Sequence, residues 1–90
     1  MNKKIIIISA IWCPSCLILK KNLKKLKEGY TNLNIEELDY DFDDEIVKEY
    51  NVGNILPVII IKENNNEINR LIGEKSYDEI INFLKECEVI

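Results

Sequence analysis

Four consecutive isoleucines, Ile5 to Ile8, give way within eight residues to Cys13-Pro14-Ser15-Cys16, and this succession constrains the fold more than any other stretch. A run of β-branched residues that does not alternate with polar ones reads as a central parallel strand covered on both faces. Beyond it, Cys16, Leu19, Leu23, Leu26 and Tyr30 recur at three- and four-residue steps, which predicts a helix from Pro14 to about Glu28 with one buried face and Gly29 as its stop. The two thiols therefore stand where a strand becomes a helix. At a helix N-terminus, unpaired N–H groups and the positive end of the dipole favour an anion, so Cys13 is expected to ionise below the free-thiol value of about 8.5. Pro14 suits the first turn, where its missing N–H costs nothing. Cys16, one turn further in, is placed to attack a mixed disulfide formed at Cys13.

A Cys-x-x-Cys pair also occurs in half a zinc site and in structural disulfides. Zinc needs four ligands, and this chain has no histidine, no second such pair and one further thiol, Cys87. Structural bridges concentrate in small secreted scaffolds dense in cysteine, whereas 47% of these residues are hydrophobic and can form a core without staples. A redox pair is the preferred reading. Its contrast is a non-enzymatic module in which the same cysteines hold a metal or an iron–sulfur cluster between two chains.

The remaining elements follow from local signals. Leu33 to Tyr40 reads as a weaker strand near a sheet edge, and Asp43-Asp44-Glu45 open a short helix through about Tyr50, since carboxylates suit a helix N-terminus. Val52 to Pro57 leads into a strand at Val58–Ile61, and Asn64-Asn65-Asn66 forms a hairpin turn to a returning strand, Glu67 to Ile72, ended by Gly73. Ser76 with Glu79 is a capping box for a last helix whose buried side is Ile80, Ile81, Phe83, Leu84 and Cys87. The order is β-α-β-α-β-β-α: an α/β fold with a four-stranded mixed sheet flanked by three helices, in a single domain over residues 1–90.

A net charge of −4 argues against a nucleic-acid partner, which would need a basic face. The lysines at 20, 21, 24, 25 and 27 read as a solvated helix face, and the acidic run Glu36 to Glu45 as a solubilising one. Lys3-Lys4 before the isoleucines imitates a secretory leader, but cleavage near Ala10 would remove the first strand. No stretch approaches the ~20 apolar residues that span a bilayer, so a monomeric cytoplasmic protein with no membrane partner is expected. Trp12, Tyr30, Tyr40, Phe42 and Phe83 read as core or groove-wall aromatics, and Cys87 as an inert buried thiol.

The element order, the motif Trp12-Cys13-Pro14-Ser15-Cys16 and the start of a strand at Leu56-Pro57 together resemble the thioredoxin superfamily over nearly the whole chain. In size the chain is similar to compact glutaredoxin-like members, while the Trp-Cys-Pro motif and the segment from Val58 to Leu84 look more like thioredoxin. The resemblance implies a thiol-disulfide oxidoreductase acting on protein disulfides, with Cys13 as attacking nucleophile and Cys16 as resolving thiol. It further implies a cis peptide at Pro57 and a substrate groove formed by Trp12, Pro14, Leu56, Pro57 and Gly73. Leu56 would offer its backbone to an extended client, and Gly73 would leave space at the groove edge. No cofactor is implied beyond the Cys13–Cys16 disulfide. Partners would be client protein disulfides and a recycling reductase or glutathione. Two features depart from the family pattern. Thioredoxins bury an aspartate six residues before the first cysteine, where this chain has Ile7. The glutaredoxin turns that bind glutathione are replaced by Ile55-Leu56-Pro57 and Gly73-Glu74-Lys75, which favours protein disulfides over glutathione, although Lys4 or Lys75 could serve a glutathione-dependent reductase.

Overall fold

The computed structural model describes residues 3–90. Its elements are β1 (Lys3–Ser9), α1 (Pro14–Gly29), β2 (Ile35–Asp39), α2 (Asp44–Glu49), β3 (Val58–Glu63), β4 (Asn66–Ile72) and α3 (Tyr77–Glu86). They form the expected four-stranded mixed sheet, in the order β2-β1-β3-β4. β1 is central, as the isoleucine run predicts, but only one neighbour is parallel: β2 runs with it and β3 against it.

The run is continuous because alternate residues serve opposite faces. Ile5 and Ile7 pack with Leu19, Leu23 and Leu26 of α1 and with Ile80, Phe83 and Leu84 of α3. Ile6 and Ile8 pack with Val58 and Ile60 of β3, Val47 of α2, Ala10, Leu38, Leu56 and the two active-motif thiols. Two helices thus cover one face, and one short helix with two loops covers the other.

Ends of elements are set locally. Asn64 and Asn65 both take positive φ (51° and 71°), the two-residue turn that matches the twist of a hairpin. The capping box at α3 is complete: Glu79 N–H donates to Ser76 Oγ (3.1 Å) and Ser76 N–H to Glu79 Oε1 (3.3 Å). α1 differs from expectation at its end. Gly29 stays inside the helix, and the chain leaves through an extended Tyr30 whose N–H still bonds Leu26 O at 2.8 Å. Tyr30 is consequently exposed rather than on the buried face, which ends at Leu26. Cys87 caps α3 and is buried, while Ile81 is only half-buried. No helix among the described residues is long and apolar enough to cross a membrane.

Candidate active site

β1 ends at Ser9, and the chain turns through Ala10, Ile11 and Trp12, with Cys13 N–H donating to Ala10 O at 3.2 Å. This turn delivers Cys13 as the N-cap of α1. Its φ/ψ of −92°/114° is extended, and its sulfur takes the role a serine oxygen usually plays, accepting the Cys16 N–H at 3.3 Å. Pro14 fills the first helical position. The next turn brings Cys16 underneath: its side chain is fully buried, while Cys13 retains a sliver of exposure, 6%. Burial pushes the Cys16 thiol up to about 11, helped by its hydrogen bond with Cys13 and opposed by a backbone bond at Ala10 and the charge of Lys20.

The Leu56–Pro57 peptide bond is cis, in line with the resemblance, and places the Leu56 carbonyl 3.9 Å from the Cys13 sulfur, where the thiol donates to it. Pro57 is fully buried and Ile55, beside them, is exposed. Gly73 N–H donates to Pro57 O at 2.8 Å, tying the end of β4 to this loop. Gly73 is needed for its conformation, φ +91°, more than for space. A Cβ there would lie 3.5 Å from Ile55 Cγ2, an ordinary contact. Trp12 and Pro14 adjoin Cys13 in the chain, the Leu56 carbonyl meets its sulfur, and Gly73 is tied to the same loop through Pro57.

Several neighbours were not expected from the sequence. Trp12 Nε1 donates to Asp41 Oδ2 at 2.7 Å, and the indole packs edge-on against Tyr40 with centroids 6.3 Å apart. Asp41 is itself fixed, because the Asp39 carboxylate accepts the Asp41 and Phe42 N–H groups (2.9 and 3.0 Å) and the Asp43 carboxylate accepts that of Asp39 (2.8 Å). Alternating aspartates at a strand-to-helix junction carry the local signal for such carboxylate-to-backbone turns. Held this way, Phe42 points outward at 78% exposure and is not a core aromatic. Ser15 Oγ donates to Glu74 Oε1 at 2.9 Å, joining α1 to the loop after Gly73.

Ile7, at the position where the family pattern has an aspartate, packs in the α1/α3 cluster and not in the one holding Cys16. No charged or polar residue is buried among those described. Cys87 lies on the α1/α3 face, away from the thiol pair. Lys4 sits at the start of β1, paired with Glu36 at 3.0 Å, so it is at the wrong end of the strand to serve the thiols. A cleft of about 690 Å³ lies at that same end among Lys3, Lys4 and Lys62, each already engaged by Cys87 O, Glu36 or the Tyr50 hydroxyl. The site thus places exposed apolar side chains such as Trp12 and Ile55 near one slightly exposed sulfur, with its partner sulfur fully buried beneath.

This arrangement has close counterparts. Thioredoxin H2 of Arabidopsis thaliana is 29% identical over 80 residues, covering 88% of this chain and 59% of the relative's own length. The chain thus spans little more than half of that relative. Thioredoxin of Chlamydia trachomatis is 27% identical over 77 residues, covering 86% of this chain and 74% of that protein. Mitochondrial thioredoxin 3 of Saccharomyces cerevisiae, solved in its oxidized form, superposes with a TM-score of 0.82 at 25% identity over 94% of this chain and 78% of that one. The family model described as Thioredoxin matches residues 1–86, and the chain belongs to the thioredoxin family.

Proposed function

We propose that the protein is a thiol-disulfide oxidoreductase that reduces disulfides in client polypeptides through Cys13 and Cys16. The observation that carries this reading is the position of Cys13: an N-cap sulfur that accepts a helix N–H at 3.3 Å, with a second thiol one turn beneath it. Family membership supports it. The Cys13 thiolate attacks one sulfur of the client disulfide, forming a mixed disulfide and expelling the other sulfur as a thiolate. Cys16 then attacks the Cys13 sulfur, releasing the second client sulfur and closing the Cys13–Cys16 disulfide. Two electrons pass from the dithiol to the client. The proton lost by Cys16 goes to a departing client thiolate or to water, since Ile7 supplies no carboxylate. Trp12, Pro14, Leu56, Pro57 and Gly73 form the groove in which the client lies, with the Leu56 backbone pairing in strand fashion.

The dithiol needs no added cofactor, and a reductase or glutathione returns it to the reduced state. The site acts in a monomer, in the cytoplasm, where thiols are kept reduced. Full burial of Cys16 argues against a metal or cluster shared between two chains, because its sulfur cannot reach a ligand position outside the fold. The test is insulin-disulfide reduction with a chemical dithiol as recycling agent. Turnover in wild type and its loss in Cys13→Ser is expected, and equal turnover in both would overturn the reading.

A further inference from the structure

Beside Trp12 lies a second cleft, of about 430 Å³, between the β2–α2 loop and α2. Tyr40, Val47 and Val52 give it an apolar floor, and Asp41 and Asp44 stand at its edge. It shares a wall with the site, since Tyr40 packs on the Trp12 indole and Asp41 accepts its N–H. Only one oxygen of Asp41 is used in that bond, and Asp44 makes no side-chain hydrogen bond or ion pair among the described residues.

The surrounding field has one sign. Residues 36–45 carry seven carboxylates and no basic side chain. Glu36 and Glu37 are paired with Lys4 and Lys27, which leaves the five from Asp39 to Glu45 without an ion pair among the described residues. The one base at the cleft is Lys48, against two carboxylates. An apolar trough ending in carboxylates matches a side chain with a long aliphatic stem and a cationic head. Because the loop is held rigid by bonds from Asp39 and Asp43, the carboxylates need no ordering on binding.

We propose that this cleft is a specificity subsite for a lysine or arginine side chain of the client polypeptide, so that disulfides flanked by a basic residue are preferred. The proposal rests on the reading of Cys13 and Cys16 as a protein-disulfide reductase and names the clients it favours. The stem would lie along Tyr40, Val47 and Val52, with the head between Asp41 and Asp44, and the client disulfide would be held over Cys13 on the other side of Trp12.

The test uses three peptides with the same internal disulfide and arginine, glutamine or glutamate beside its first cysteine, and a small neutral disulfide as control. At low salt, kcat/KM should favour arginine over glutamine by about tenfold, with glutamate slower still. The preference should shrink towards unity at ~0.5 M salt, where the screening length falls to a few Å. Asp44→Asn, an exposed change whose fold is checked by its melting curve, should bring arginine and glutamine within about twofold, and Lys48→Gln should widen the gap. Equal rates for arginine and glutamine in wild type, or a preference untouched by Asp44→Asn, would overturn the subsite while turnover of the neutral disulfide left the reductase reading standing. If no disulfide were reduced, that reading would fail, and the cleft would be judged by binding alone. The same peptides with serine for cysteine, titrated against Trp12 fluorescence, should show saturable binding for arginine only. No difference between arginine and glutamine there would sink the subsite independently.

Discussion

The two faces of the sheet are made from one run of isoleucines yet do different work. On the first face, Ile5 and Ile7 lie under α1 and α3 in a cluster with Leu19, Leu23, Leu26, Phe83 and Leu84. On the second, Ile6 and Ile8 are covered by a helix of six residues and by the loops at Ala10 and Leu56. Both faces are buried to a similar degree, but only the second reaches the end of β1 where both thiols, the Leu56 carbonyl and the cleft beside Trp12 are found. The proposed chemistry thus falls on one side of the strand, and the other side carries packing alone.

Changes on the second face should therefore remove activity without unfolding the protein. Cys13→Ser is expected to lower client reduction by at least about 10⁴-fold, the scale seen when a nucleophile is lost. The serine keeps the N-cap bond that Cys13 makes to the Cys16 N–H, so the melting temperature should barely move. Cys16→Ser should instead accumulate a covalent client adduct at Cys13, visible by mass spectrometry under non-reducing conditions. Adduct formation in Cys13→Ser would reverse the assignment of the two sulfurs.

The mirror-image change on the first face is Ile7→Asp. It buries a carboxylate among α1 and α3 side chains with no partner, which should cost several kcal/mol against a total of about 5–15 for a domain of this size. Because Ile7 is not in the cluster that holds Cys16, the folded fraction should resolve mixed disulfides no faster than wild type at neutral pH. A gain beyond about threefold, the beginning of a general-base effect, would show that the two faces communicate at this position. Denaturant melts and stopped-flow resolution rates measure the two halves of this prediction.

How much of this was legible in the sequence depends on distance along the chain. The central strand, the α1 face, the asparagine hairpin and the Ser76 capping box all rest on residues within a few positions of each other, and all are present. The placing of Cys13, Pro14 and Cys16 together at the start of α1 was also readable, because they sit on one helical turn. What could not be read were pairings across the fold. Trp12 meets Asp41 over a separation of 29 residues, and Ser15 meets Glu74 over 59. Nothing local distinguishes Asp41 from the other acids of its run, so the run reads as solvated surface although one of its members holds the indole. Phe42 is the converse case, where an aromatic suggests core or groove wall and only the turn that presents it excludes the core. Gly29 misled for a third reason, since glycine permits a left-handed helix end without requiring one.

The fully buried sulfur of the second face, Cys16, is the one whose titration is displaced, and pH reports on it. With its pKa pushed up to about 11, Cys16 is almost wholly protonated at neutrality, so the resolving step should rise about tenfold per pH unit through the neutral range. A plateau beginning below about pH 7 would reveal a carboxylate acting as base. Stability responds in the opposite sense. The folded state holds this proton more tightly than the unfolded chain does, so the contribution is complete below pH 9 and is lost as pH rises to about 11. The loss is read as a falling denaturant midpoint across that window in the reduced protein. A midpoint that stayed level would mean Cys16 is better solvated than its burial implies.

Cys87→Ala is the smallest expected change and the one that tests whether a thiol on the first face is chemically silent. Cys87 is buried at the end of α3, and burial raises its pKa as it does that of Cys16, with a hydrogen bond from Asn69 and the charge of Lys3 opposing. Burial alone therefore does not separate a working thiol from an idle one. What separates them is company. Cys16 bonds its N–H to a second sulfur, whereas Cys87 packs among Ile5, Phe83 and Leu84 and its carbonyl accepts from Lys3 Nζ at 2.7 Å. Removing one sulfur from that packing should cost about 1 kcal/mol, in the range of a deleted buried methylene. Turnover should stay within about twofold of wild type, since a free cysteine in such a place behaves as a small hydrophobe. A folded Cys87→Ala protein that lost turnover would put redox chemistry on both faces of β1, and the division of labour between them would no longer hold.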